Sequence, residues 1–93
     1  SEHSVLSWLR WGNDGSFVVV ALNFTPVPQT GYRIGVPRAG SYVELLNTDS
    51  AHYGGGNLGN GGRIEACVGE WMNRPANLVV TIPPLGAVVL QLA

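Results

Sequence analysis

Short apolar runs, each interrupted by turn-forming residues after about ten positions, limit most strongly how this chain can fold. The runs are rich in Val, Ile, Leu and aromatic residues, and the interruptions contain Gly, Pro, Asn and Asp. This pattern is typical of all-β domains, and no stretch shows the period of about 3.6 residues that marks a long amphipathic helix. The sequence therefore predicts an all-β fold of antiparallel strands.

The pattern predicts six or seven strands. A first strand, 5–11, and a second, 17–24, flank Gly12-Asn13-Asp14-Gly15, whose residues tolerate the positive φ of a tight hairpin turn. The second run is apolar on both faces, which predicts a central strand covered on both sides. Further strands are predicted at 32–34, 42–46, 63–68, 78–82 and 88–92, and an irregular segment at 69–77. This many short strands favours an antiparallel two-layer β-sandwich with Greek-key connections.

The chain length of 93 residues predicts a single domain, 1–93. A domain of this size buries only roughly 60–65% of the surface of its unfolded chain, which leaves little room for a deep catalytic cleft. The formal net charge is -1, and the five Arg and six acidic residues are scattered along the chain. No basic stripe is present to bind phosphates, so neither nucleic acid nor a membrane surface is an expected partner.

The single cysteine, Cys67, cannot form a disulfide within the chain, which favours a reducing, cytoplasmic location. The longest apolar run, 17–22, is far too short to span a bilayer. Residues 1–4 lack the charged and apolar regions of a signal peptide. No targeting to another compartment is predicted.

The glycine-rich segment 47–62 is predicted to be a loop, and its length is typical of functional or disordered loops. Within it, Asp49 and His52 have a spacing that metal ligands use, but a zinc site normally takes at least three protein ligands. A turn-forming role for Asp49 is favoured, because short polar side chains bond to nearby backbone amides. No metal and no cofactor are therefore predicted.

Catalytic groups are not expected either. Cys67 has no neighbouring base in the sequence to activate it, so an inert, partly buried thiol is the better interpretation. Glu65 and Glu70 resemble the carboxylate pair of a glycosidase, but such a pair needs a groove that fixes its separation. Solvated surface acids explain both residues equally well, and no catalytic residue is assigned.

Aromatic residues in or beside loops provide one candidate binding site. Sugar-binding sites pair flat aromatic rings with amide or carboxyl groups that orient the hydroxyls. Trp71 and Tyr53 are the candidate rings, and the amides that can supply hydrogen bonds are Asn57, Asn60, Asn73 and Asn77. Trp8 and Trp11 fall on opposite faces of the first strand, so one is expected to pack on the core and the other to cover an interface.

Several segments carry a resemblance to a known family, and they occur in the family's order. They are VLSWLR at 5–10, NFTPVP at 23–28, GYRIGVP at 31–37, ELLNTDS at 44–50, His52-Tyr53-Gly54-Gly55, Gly59-Asn60, and a closing segment, 78–90, that contains IPPLGA. Together they resemble the C-terminal domain of the bacterial 1,4-α-glucan (glycogen) branching enzymes, members of the α-amylase superfamily. The resemblance spans nearly the whole chain, although 69–74 matches less closely.

The resemblance implies a β-sandwich of the α-amylase C-terminal domain type that follows a β domain and a catalytic (β/α)8 barrel in a longer enzyme. The catalytic carboxylates would belong to the barrel, so this chain alone is expected not to be an enzyme. The longer enzyme would cleave an α-1,4-glucan and transfer the segment to a 6-hydroxyl, which makes a branch in glycogen. Its missing machinery would lie outside these residues.

A packing role against the barrel is the predicted function of the domain. The loop 47–62, or the proline-rich segment 25–28, is expected to form part of the junction. The candidate interface residues are Asn47, Thr48, Asp49, Ser50, His52, Tyr53, Gly54, Gly55 and Asn60. The alternative is a glucan-binding module that tethers polysaccharide directly, with Trp71 and Tyr53 as its contacts.

Overall fold

The computed structural model describes residues 5–48 and 60–93, which form seven β-strands. The strands are β1 (Val5–Trp11), β2 (Phe17–Asn23), β3 (Gln29–Val36), β4 (Gly40–Asn47), β5 (Arg63–Trp71), β6 (Arg74–Ile82) and β7 (Gly86–Leu92). Every pairing between them is antiparallel. No helix of the described residues is long and apolar enough to cross a membrane. The all-β prediction is confirmed.

The strands lie in the order β1-β2-β7-β4-β5-β6-β3, and β5 takes part in two layers. Its first half, 63–66, pairs with β4, whereas its second half, from Cys67 onward, pairs with β6. We call β1, β2, β7, β4 and the first half of β5 sheet A, and the second half of β5, β6 and β3 sheet B. The spatial order of β4, β5, β6 and β3 is that of a Greek key, so the predicted sandwich is confirmed.

The core lies between the inner faces of the two sheets, where alternate side chains of each strand point. Sheet A contributes Phe17, Val19 and Ala21 from β2 and Val88 and Leu90 from β7. Sheet B contributes Ile34, Val36, Ala76, Leu78, Val80 and Ile82. All of these side chains are buried, so the two apolar faces provide the main stabilisation of the fold.

Tyr42 of β4 is fully buried in this core. Its ring lies 6.2 Å from that of Phe17, and its hydroxyl donates to the Arg38 carbonyl at 2.7 Å. Burial raises the pKa of Tyr42, because the phenolate is poorly solvated there. The hydroxyl thus has a partner, as a buried polar group requires.

The first turn is formed by the residues that the sequence indicates. Gly15 has φ of 83°, and Asp14 accepts hydrogen bonds from the Ser16 amide at 3.1 Å and the Ser16 hydroxyl at 2.6 Å. These bonds stabilise the carboxylate and lower the pKa of Asp14. The hairpin between β1 and β2 is therefore confirmed.

The prediction of an irregular segment at 69–77 is wrong. These residues form the end of β5, a two-residue turn at Met72 and Asn73, and the start of β6. Both turn residues have positive φ, 54° and 61°, as a type I′ turn requires. The sequence lacks the usual Asn-Gly pair there, and Gly69 and Pro75 resemble strand breakers. Gly69 instead lies at a register shift in the pairing of β5 with β6.

The prediction that β2 is covered on both sides is half right. It lies between β1 and β7, and its inner residues are buried. Its outer residues, Val18, Val20 and Leu22, are only half-buried, and no described strand lies over them. The outer residues of β2 are therefore apolar and are not covered by another described strand.

Gly35 of β3 is buried because the hairpin of β5 and β6 folds over it. A Cβ at this position would overlap the carbonyl oxygen of Trp71 and lie 2.9 Å from its carbonyl carbon. The φ of Gly35 is outside the left-handed region, so the constraint is the space and not the backbone angle.

We expect Gly35→Ala to lower the free energy of unfolding by about 3 kcal/mol, because backbone atoms must move to admit the methyl group. Gly15→Ala is the control, since open space surrounds that residue and only its positive φ of 83° is strained. The control should cost about 1 kcal/mol. Urea unfolding of the chain measures both, and equal costs would contradict the close packing of the hairpin on β3.

Candidate interface surfaces and glucan-contact residues

Asn60, one of the candidate interface residues, links the two sheets. Its side-chain amide donates to Glu44 Oε2 of β4 at 2.7 Å and to the Thr81 carbonyl of β6 at 3.0 Å. Its carbonyl oxygen accepts the Thr81 amide at 2.7 Å. The side chain therefore pairs with the backbone of β6 as a neighbouring strand would, and its contacts are internal to the domain.

Asn47 and Thr48 lie at the other end of the predicted loop. Asn47 is buried, and its amide donates to Glu44 Oε2 at 3.1 Å, so the structure brings Asn47 and Asn60 together on one carboxylate. Thr48 is exposed and forms two hydrogen bonds with Ala87, one from its amide at 3.1 Å and one to its hydroxyl at 3.0 Å. Both ends of the segment are thus fixed to the sandwich.

The remaining candidate interface residues lie outside the described residues. They are Asp49, Ser50, His52, Tyr53, Gly54 and Gly55. Asn57, a candidate hydrogen-bonding residue, also lies there. Their roles stay predictions.

The segment 25–28, the second candidate for the junction, is held by the buried side chain of Asn23. The Asn23 amide donates to the carbonyls of Val27 at 2.8 Å and Pro83 at 3.1 Å. Its carbonyl oxygen accepts the Thr25 amide at 2.9 Å and the Thr25 hydroxyl at 2.7 Å. One buried side chain therefore positions this segment beside the turn between β6 and β7.

Part of the outer face of sheet A is apolar, and the neighbouring row, Arg10–Val18–Gln91–Val43, contains an arginine and a glutamine. Two rows of paired residues cross the apolar part, Leu6–Leu22–Ala87 and Trp8–Val20–Val89–Leu46. Neither row contains a charged residue, and Leu6 and Trp8 are 53% and 42% exposed. A water-exposed apolar area of this kind marks an interaction surface. We call these two rows the docking face.

A shallow groove of about 340 Å³ extends the docking face at one end of sheet A. It shares Leu22 and Ala87 with the docking face and adds Phe24, Thr48 and Leu85. Phe24 and Leu85 are 59% and 71% exposed, which is unusual for such large apolar side chains. The groove connects the docking face to Thr48, which lies in the 47–62 segment, and to Phe24, which directly precedes the 25–28 segment.

Sequence reasoning missed Leu6, Leu85 and Phe24 as surface residues. A signal was available in the strands that are apolar at every position, because only one face of each can point into the core. Trp8 and Trp11 do lie on opposite faces. Trp8 belongs to the docking face, while the Trp11 ring lies 5.0 Å from that of Phe17 at the edge of the core.

Trp71, the candidate glucan contact, lies at the end of β5 and is 46% exposed. Its indole N–H donates to the Arg33 carbonyl at 3.2 Å, and the Arg33 guanidinium lies 5.4 Å from the ring centroid. Arg33 also donates to Asn77 Oδ1 at 3.3 Å, and the Asn77 amide donates to the Gly69 carbonyl at 2.9 Å. The ring is therefore fixed on the outer side of sheet B.

The potential catalytic groups are dispersed. Glu65 and Glu70 are exposed, and among residues 5–48 and 60–93 no three His, Cys, Asp or Glu side chains cluster as metal ligands would. Cys67 is exposed, so the prediction of a partly buried thiol is wrong. It lies where β5 passes from one sheet to the other, and the buried position there belongs to Ala66.

The described residues thus form a two-layer β-sandwich of antiparallel strands. The family model of the alpha amylase C-terminal all-beta domain matches residues 1–93. The chain belongs to this family. The fold that the resemblance implies is confirmed.

The chain is also similar to part of several curated proteins. It is 80% identical over 91 residues to the 1,4-alpha-glucan branching enzyme GlgB of Dechloromonas aromatica. The matched region is 98% of this chain and 15% of that protein. Branching enzymes of Methylobacillus flagellatus and Thiobacillus denitrificans are 52% and 54% identical, and each covers 98% of this chain. The matched region is 13% and 12% of those two proteins. The chain thus spans a small part of the length of its relatives.

The Asn60 link gives a test of the contact between the sheets. We expect Asn60→Ala to lower the free energy of unfolding by about 2–3 kcal/mol, because it leaves the Thr81 amide and carbonyl without their partner. Asn13→Ala removes an exposed amide from the first turn and should change stability by less than about 0.5 kcal/mol. Urea unfolding of the two variants measures the difference. A cost as small as the control's would show that Asn60 does not brace the sheets.

Proposed function

We propose that this chain is the C-terminal domain of a 1,4-α-glucan branching enzyme and that it packs against the catalytic barrel and stabilises it. The high identity to three branching enzymes along nearly all of this chain supports the assignment. The longer protein would transfer α-1,4-glucan segments to form α-1,6 branches, with its catalytic residues outside this domain. A cytoplasmic location fits the single exposed cysteine, which has no disulfide partner in the chain.

The docking face is the observation that carries the packing role. Burying the exposed half of a side chain such as Leu6 against another apolar surface contributes about 1 kcal/mol, and several such side chains lie side by side on this face. Left exposed, the face promotes self-association. The matched region is only 15% of the relative from Dechloromonas aromatica, so most of that protein lies outside this domain. We therefore assign the remaining part of the same polypeptide as the partner that covers the docking face.

The outer side of sheet B has a different chemistry. There the register pairs Arg33 with Val79 and Gly35 with Asn77, so charged and amide groups lie beside Val79, and the exposed Trp71 ring lies on the same side. Such a surface is stable in water. The open apolar rows of the docking face support the proposal that sheet A lies against the barrel.

A charge placed on the docking face tests this orientation in the full-length enzyme. Leu6→Glu should weaken the contact between domain and barrel by about 3–5 kcal/mol, because the carboxylate would be buried there without a partner. We expect a lower melting temperature of the enzyme and faster trypsin cleavage between the domains. Differential scanning calorimetry and timed proteolysis provide the two measurements.

Val79→Glu is the matched control, since Val79 is 44% exposed on the outer side of sheet B and should remain in water. In the 93-residue chain alone, both substitutions should change stability by less than about 0.5 kcal/mol. The packing role through sheet A fails if the two variants of the full-length enzyme behave alike.

A further inference from the structure

We propose that Trp71 and the hairpin turn beside it form a contact site for an α-1,4-glucan chain on the outer side of sheet B. This inference rests on the proposed function, since that function makes α-glucan the polysaccharide that the whole protein handles. It adds a site that is separate from the catalytic barrel and that binds without chemistry.

The Trp71 ring is held in one orientation before any ligand arrives. Its N–H edge is bonded to the Arg33 carbonyl at 3.2 Å, and the Arg33 guanidinium lies 5.4 Å from the ring centroid. Even so, 46% of the side chain is exposed. A fixed and exposed ring loses little conformational entropy when it binds, which is the advantage of preorganisation.

The turn that carries the ring is also fixed. Met72 and Asn73 both adopt positive φ, and a residue such as Met in this conformation costs about 1–2 kcal/mol. The Met72 sulfur accepts the Gly35 amide at 3.3 Å, which attaches the turn to β3. Since Gly35 leaves room for the Trp71 carbonyl, the hairpin lies directly on the sheet. These contacts with β3 hold the strained turn, and with it Trp71, in place on the sheet.

The groups around the ring suit a sugar better than an apolar protein surface. A glucose unit has an apolar C–H face, which stacks on an aromatic ring, and an edge of hydroxyls that need hydrogen-bond partners. Arg33 carries five N–H donors, and Asn77 takes one of them. Asn73 is exposed in the turn next to the ring. The Arg33 guanidinium lies over one face of the ring, so a sugar would stack on the other face, with Asn73 and Arg33 as hydrogen-bond donors.

The position of the site agrees with the docking of sheet A. The Trp71 ring lies on the outer side of sheet B, which faces away from the docking face, whereas Met72 in the turn beside it lines a small cavity with Trp8. A polysaccharide chain can then be held at the outer surface of the enzyme while another part of it occupies the active site. Two contacts on one polymer raise its effective concentration.

Affinity electrophoresis of the full-length enzyme in gels that contain amylopectin tests the site. Trp71→Ala should weaken the retardation roughly tenfold, as expected when a central aromatic contact is truncated. Trp71→Phe keeps a ring for stacking but loses the N–H bond to Arg33, and it should retain most of the binding. Trp11→Ala removes another tryptophan, 54% exposed and part of sheet A, and should leave the retardation unchanged.

Thermal melting of every variant separates contact from folding. The site is refuted if Trp71→Ala is retarded like the wild type, or if Trp71→Phe and Trp71→Ala lose binding and stability to the same extent. An iodine-stain assay of the wild-type enzyme addresses the proposed function separately. Absence of branching activity would overturn that function, whereas an active enzyme whose binding does not respond to Trp71→Ala would overturn the glucan site alone.

Discussion

The whole arrangement depends on β5, which is the only one of the seven described strands that pairs in both sheets. Because its first half extends sheet A and its second half extends sheet B, the two layers form one continuous ladder of hydrogen bonds. Because of this continuity, the inner faces of the two sheets pack on each other, with Tyr42 buried between them, and the outer faces point in opposite directions. Asn60 adds a second link between the layers through Glu44 and Thr81. The separation of the docking face from the outer side of sheet B follows from this geometry.

Local chemistry made much of the fold predictable from the sequence. The first hairpin follows from Asp14 and Gly15, and the strands that end the chain follow from their alternation of buried residues. The hairpin at Met72 was not predictable in this way, because its positive φ values are stabilised by contacts with β3, which is distant in the sequence. Tertiary contacts there outweigh the local preference of Met for other conformations.

The candidate site was predictable only in part, for a related reason. The resemblance of the segments indicates a domain that accompanies a larger catalytic unit, and the sequence indicates Thr48 and the 25–28 segment as junction regions. The side chains of Asn47 and Asn60, however, both donate to Glu44 of β4. These contacts depend on which strands lie beside β4, and the sequence does not reveal that order. The docking face emerges only from the register of β1, β2 and β7, since an apolar residue in a strand does not reveal which side it faces.

The attachment of Thr48 to Ala87 and of Asn60 to Thr81 has a consequence for how this domain can diverge among related enzymes. Thr48 is bonded to β7 and Asn60 is bonded to β6. Neither bond therefore depends on how many residues connect Thr48 to Asn60. Chain length can therefore change between these two points while the ladder beneath them is preserved. Natural variation in the size of the domain should concentrate there, which makes this position a suitable place for inserting a reporter peptide.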